Sequence, residues 1–132
     1  MNYALKRFLK QTSFEEALAR TRAALQTCGF GIPVEMDTRA LFKAKLGQES
    51  ENRVILGACL AGVAFEALKQ EPELAVLLPC NVVVREVGGG TEVTAVSPKA
   101  LFALTEKVDP VTPLAPPNVS TPLPPRSAVP PP

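Results

Sequence analysis

The clearest periodic stretch runs from Ser13 to Gly29. Phe14, Leu18, Thr21, Leu25 and Cys28 recur at three- and four-residue spacing, which lays them along one stripe of an α-helix. Ser13, with Glu16 three residues on, forms a capping box at its start, and Gly29 closes it as a left-handed residue. The same reading predicts a first strand over Asn2–Leu9, supported by Tyr3, Leu5 and Phe8, and a strand over Phe30–Glu35. Pro33 places the latter at an edge or a bulge, because proline cannot donate to a ladder. Asp37 or Thr38 caps a short helix, Arg39–Leu46, closed by Gly47. Arg53–Cys59 is a strand, Gly62–Gln70 a helix with Val63, Ala64 and Leu68 inward, and Asn81–Val87 a strand rich in β-branched residues. Gly88, Gly89 and Gly90 turn the chain into a return strand, Thr91–Val96. Ser97 then caps a last helix to about Lys107, with Pro98 at its first position, where the missing amide costs nothing.

The resulting order is β-α-β-α-β-α-β-β-α. A two-layer α+β domain fits it, with one mostly antiparallel sheet and helices on one face. The domain spans 1–108. Residues 109–132 stand apart: they hold 10 of the 14 prolines and no periodic apolar pattern, and read as a disordered or polyproline II tail. Within the tail, Pro122–Arg126 (PLPPR) resembles a ligand for a polyproline-binding partner. The bland reading is a spacer. Two strands conflict with a bare sheet face: VILGAC and NVVV are apolar on consecutive residues, so both faces need cover. A second copy of the chain would supply it and make a homodimer; the alternative is that loops do.

Composition narrows the chemistry. The 132 residues carry 14 basic and 13 acidic side chains, net +1, so no basic field draws in nucleic acid. No Trp is present to stack on single strands. No stretch nears the roughly 18 apolar residues of a membrane span, and no secretory leader is visible. Three cysteines without such a leader read as free thiols in a cytoplasmic protein. The absence of His removes the usual general base and commonest metal ligand.

Cys59 and Cys80 are the sharpest candidates. Cys59 ends a strand just before a helix, where unpaired amides favour a thiolate. Cys80 opens the next strand after Pro79. Together they read as a redox pair, a soft-metal site or a reactive thiol, against two small buried hydrophobes. No CxxC spacing is present. A zinc site needs four ligands and would have to borrow thiols across a dimer. Cys28, on the helix stripe, reads as core. Gly57 and Gly62 bracket Cys59 and could aim amides at an anion; close packing is the ordinary explanation. Glu35 and Asp37, two apart on extended chain, face one side, with Lys45 as a possible partner. The plain reading makes Asp37 a helix cap, and Glu35 and Lys45 surface charges. No cofactor is required by any of these residues.

Three segments in fitting order carry a family likeness: GFGIPVEMDTRALFKAKLG (Gly29–Gly47), ILGACLAGVAFEAL (Ile55–Leu68) and EPELAVLLPCNVVVRE (Glu71–Glu86). They resemble the bacterial domain-of-unknown-function family 302. The resemblance implies a small α+β domain similar to the TATA-binding-protein-like arrangement, a tendency to dimerise, and no established reaction. It marks Glu35, Asp37, Lys45, Gly57, Cys59, Pro79, Cys80 and Asn81. This chain departs from it at Leu60-Ala61, where the family usually reads Asn-Pro. The function expected is a non-catalytic dimeric binding or sensing module, holding a small ligand or soft metal near Cys59, Cys80 and Asn81. The alternatives are a thiol redox protein using Cys59 with Cys80, and a structural protein acting through its tail.

Overall fold

A computed structural model describes residues 3–97. The last helix expected from Pro98 and the proline-rich tail lie outside the described residues. The elements are β1 (Ala4–Lys10), α1 (Phe14–Thr27), β2 (Gly31–Asp37), α2 (Thr38–Leu46), β3 (Arg53–Cys59), α3 (Ala61–Gln70), a 3-10 segment (Pro72–Leu77), β4 (Cys80–Val87) and β5 (Gly90–Val96). The five strands form one antiparallel sheet in the order β1-β5-β4-β3-β2. The α+β class and the element order through β5 agree with the expectation, with the 3-10 segment as an addition.

Local chemistry sets the helix starts. The Glu16 amide donates to Ser13 Oγ at 3.1 Å, and the Ala40 amide donates to Asp37 Oδ1 at 3.0 Å. Each bond satisfies an amide that has no partner in the first turn. Gly29 and Gly47 close α1 and α2 with positive φ. Pro33 sits in edge strand β2, where the β2–β3 register shifts between Gly31 and Val34. There its missing amide interrupts no central ladder.

Strand alternation puts Val54, Leu56 and Ala58 of β3, Val82 and Val84 of β4 and Val93 and Ala95 of β5 on one face. They pack with Phe14 and Ala17 of α1 as the main core. Thr91, fully buried at the hairpin end of this face, donates to the Thr12 carbonyl at 2.8 Å and so ties the β1–α1 connection to β5. Ala67 of α3 and Leu74 of the 3-10 segment form a smaller cluster.

Two expected core positions are corrected. Cys28 is exposed: it lies past the last helical residue, its amide bonded to the Ala24 and Leu25 carbonyls, and the chain turns at Gly29 before Phe30 packs on the core. Ala17, one turn on from Phe14, takes the innermost place instead. Val63 is 48% exposed, because the inward face of α3 centres on Ala67, with Ala64 and Leu68 partly covered beside it.

The opposite sheet face carries Val34 and Met36 (β2), Ile55 (β3), Val83 (β4) and Phe8 (β1). Phe8 is 50% and Met36 40% exposed. Beside this apolar band runs a charged row in register, Arg53, Arg85 and Glu92. Arg85 pairs with Glu92 and with Glu51, both at 3.2 Å, and Arg53 also pairs with Glu51.

Candidate functional site

Cys59 and Cys80 come together because β3 and β4 are neighbours. Ala58 pairs with Cys80 and Gly57 with Asn81, so the end of β3 and the start of β4 lie side by side. Both thiols are free and partly buried. Burial pushes the Cys80 thiol up from its ordinary range, and the nearby Cys59 adds to the rise. Both effects disfavour charge on the Cys80 sulfur.

The two cysteines share the wall of a cavity of about 340 Å³ on the helix-bearing side of the sheet. Apart from these two thiols and Asn81, its lining is wholly Leu, Phe, Val and Ala. The floor is sheet, through Ala58, Val82 and Ala95. Leu25 of α1, Ala64 and Ala67 of α3 and Leu74 of the 3-10 segment bring the helices to it. Leu5, 59% exposed, and Val63 stand on its rim.

The other expected site residues have structural positions. Gly57 sits in the sheet between Val34 and Asn81. A Cβ there would lie 2.7 Å from Pro79 Cγ and 3.1 Å from Val34 Cβ, so close packing accounts for the glycine. Pro79 follows Leu78 through a cis peptide bond. Glu35 forms an ion pair with Arg22 of α1, and Asp37 is occupied as the cap of α2. The two carboxylates do lie on one side, opposite Leu56 and Val54 in register. Lys45, in the last turn of α2, pairs with neither of them among the described residues.

Leu60 is the N-cap of α3 and makes no capping hydrogen bond. It lines the cavity instead. The Asn-Pro usual in the similar family would fall at the N-cap and at the first helical position, where Asn caps and Pro costs nothing. That departure therefore exchanges a helix cap for an apolar wall.

The sequence reading did not find the cavity as a whole. Its lining comes from β1, α1, α3, the 3-10 segment and three further strands, and nothing in an isolated Leu5 or Leu25 separates a cavity wall from ordinary core. Among the described residues no three His, Cys, Asp or Glu side chains approach closely enough to hold a metal ion. No described helix is long and apolar enough to cross a membrane.

Comparison with known proteins gives a match to the family described as "Domain of unknown function DUF302" over residues 6–116. Among solved structures, an uncharacterized conserved DUF302 protein from Bacillus stearothermophilus is similar, with a TM-score of 0.71 and 23% identity. The match covers 79% of this chain and 80% of that one. At that identity the likeness speaks to the fold. No curated protein matches the chain.

Proposed function

This chain belongs to the DUF302 family, which brings a fold without an activity, and we propose from its own geometry that it is a non-catalytic dimeric binding module holding a small apolar ligand over Cys59 and Cys80. The observation that carries the reading is the cavity. Its volume of about 340 Å³ falls within the range of small-molecule pockets, on the order of 300–1,000 Å³. An apolar wall broken by two thiols suits a ligand that is mostly hydrocarbon. The chain has no His, and the site's buried thiol is pushed toward its neutral form, so these groups favour retention over turnover.

The second copy in this reading covers the bare sheet face. Five strands spaced ~4.8 Å, each about seven residues at ~3.3 Å, project on the order of 550 Å² per copy. Two such faces total about 1,100 Å², just under the roughly 1,200 Å² of standard specific interfaces and above the roughly 1,000 Å² that a biological one should clear. The charged row is already paired within the chain, through Glu51 and Glu92, so the apolar band beside it is the part of the face that a second copy would bury.

Native mass spectrometry of the reduced protein tests both parts. The expected species is a dimer carrying extra mass. Ala64→Phe, which fills the cavity, should remove that mass and keep the dimer; Phe8→Asp with Met36→Asp should give a monomer that keeps it. A clean mass, together with no saturable binding of the neutral dye Nile red, would refute the ligand. A monomer at micromolar concentration would refute the dimer.

The thiol-redox alternative has one observation on its side, the shared wall. Burial of Cys80 works against it, since the thiolate is the reactive form.

A further inference from the structure

The β3–β4 register sets how far apart Cys59 and Cys80 stand. Ala58 lies opposite Cys80, and Cys59 is the next residue along β3. At ~3.3 Å along a strand and roughly 5 Å between paired Cα atoms, the two cysteines are diagonal neighbours about 6 Å apart. Their sulfurs can be bridged from there, since joined cysteines place their Cα atoms roughly 4.4–6.8 Å apart. Strict alternation would turn the two side chains to opposite faces. Cys59, however, is the last residue of β3, just before the Leu60 N-cap of α3, and it lines the cavity with Cys80. Both thiols are free.

The rest of the wall decides what could join them. No charged side chain lines the cavity among the described residues, and burial together with Cys59 disfavours charge on the Cys80 sulfur. A hard cation finds no carboxylate there, whereas thiolates select soft centres. A soft monovalent cation on two thiolates would leave a net negative charge with nothing in the wall to balance it, which is costly. A trivalent centre that already carries one carbon substituent takes two sulfurs and ends uncharged. Its substituent would then lie against Leu, Phe, Val and Ala side chains.

We propose that Cys59 and Cys80 together bind a trivalent organoarsenical, a soft thiol-seeking centre whose apolar organic group occupies the cavity. The proposal rests on the ligand reading for the seat of that group, and it names the class of ligand. With phenylarsine oxide, two As–S bonds replace the As–O double bond and both thiol protons leave with the oxygen as one water. Arsenic stays trivalent, so no oxidant or reductant is needed. The second As–S bond forms within one molecule, at the effective concentration of a tethered partner, and a two-point adduct therefore resists exchange with a monothiol.

Phenylarsine oxide added to the full-length reduced protein tests this. Native mass spectrometry should find the reagent's mass less one water on each chain. Maleimide labelling with peptide mapping should then find Cys59 and Cys80 blocked and Cys28, exposed and outside the cavity lining, reactive. Cys28→Ser should keep the adduct. Cys59→Ser and Cys80→Ser should each release it to glutathione about a hundredfold more readily, and Cys59→Ala and Cys80→Ala carry the test if serine disturbs the far-ultraviolet circular dichroism. The phenyl compound should outlast its methyl analogue by about tenfold or more, through the apolar area it buries, and Ala64→Phe should remove that difference. An adduct on Cys28, a bridge between two copies, release from the unaltered chain as easy as from the single variants, or equal retention of the phenyl and methyl compounds would overturn the proposal. Failure of the ligand reading alone has a different signature, a clean native mass and no Nile red binding before the arsenical is added, with the bridge and the phenyl preference intact.

Discussion

The hairpin that joins β4 to β5 offers three glycines in a row whose surroundings differ, so one substitution made three times tests the packing of β1. At Gly88 a new Cβ would meet nothing within 4 Å. Alanine there should be neutral or gain up to about 1 kcal/mol, through the lower entropy of the unfolded chain. Gly89 has φ +86, a left-handed conformation that costs a side-chain-bearing residue about 1–2 kcal/mol. Gly90 is different in kind. Its Cβ would stand 2.3 Å from the Leu9 carbonyl oxygen and 3.0 Å from Phe8 Cζ, and a backbone oxygen cannot rotate away. Strand β1 would have to lift from β5 where Lys10 and Leu9 pair with Gly90 and Thr91. Losing about two ladder hydrogen bonds at ~1 kcal/mol each, with some of the packing of Leu9, puts Gly90→Ala near 2–3 kcal/mol. Urea denaturation followed by circular dichroism gives the three values, with an unchanged slope confirming that stability alone moved. In thermal melts each kcal/mol should appear as about 4–8 °C for a domain of this size. If Gly90→Ala melts with Gly88→Ala, β1 does not sit on β5 at this end. The register that puts Leu5 opposite Ala95, on the cavity side, would then lose its anchor, since a slip of one residue turns every side chain of a strand over.

Other perturbations separate packing from chemistry at the site. Gly57→Ala drives a Cβ against the Pro79 ring and should cost about 1–2 kcal/mol in the same melts; an unchanged midpoint would reopen a ligand role for that glycine. Leu60→Ala should lose about 2 kcal/mol of packing, while Leu60→Asn should recover about 1 kcal/mol of it by capping α3; equal loss in both would refute the capping account. Because burial raises the Cys80 pKa, the folded state keeps that proton at a pH where the unfolded chain releases it. This contribution to stability is complete at neutral pH and is lost as pH rises through and beyond the ordinary thiol range. Urea midpoints should therefore fall across that alkaline range, and Cys80→Ala should flatten the decline; the same decline in that variant would assign it elsewhere.

What the sequence disclosed, and what it hid, divides by the range of the interaction. Ser13, Asp37, Gly29 and Gly47 announce helix ends because a cap is chemistry between residues three or four apart. Pro33 announces an edge for the same reason, since its missing amide is a local fact. Strand β3 was legible end to end, as Arg53–Cys59. Cys28 and Val63 were misplaced because helical spacing gives a stripe but not where the stripe stops or how it is turned toward the sheet. The first residue beyond α1 and the flank of α3 lie in that blind region. In β1, Leu5 and Phe8 both suggest a strand, yet an odd spacing puts them on opposite faces. One stands at the cavity rim, the other on the bare face. The nearness of Cys59 and Cys80 needed the β3–β4 pairing, and the cavity needed the docking of α1 and α3, neither of which a linear pattern contains.

The consecutive apolar residues of β3 and β4 acquire a physical meaning from the register. Val54, Leu56, Val82 and Val84 are buried against α1, while Ile55 and Val83 point the other way, toward a face that no described helix is seen to cover. A sheet whose central strands are apolar on both sides keeps its strand order through burial on one side and has hydrophobic area left on the other. The charged row limits what can use that area. Arg53 and Arg85 are held by Glu51, and Arg85 again by Glu92, so a purely apolar surface laid across the row would strip water from these ions without replacing their partners. That cost argues against a purely apolar occupant, and under the dimer proposed above it requires the second copy to leave the row hydrated or to meet it with polar groups.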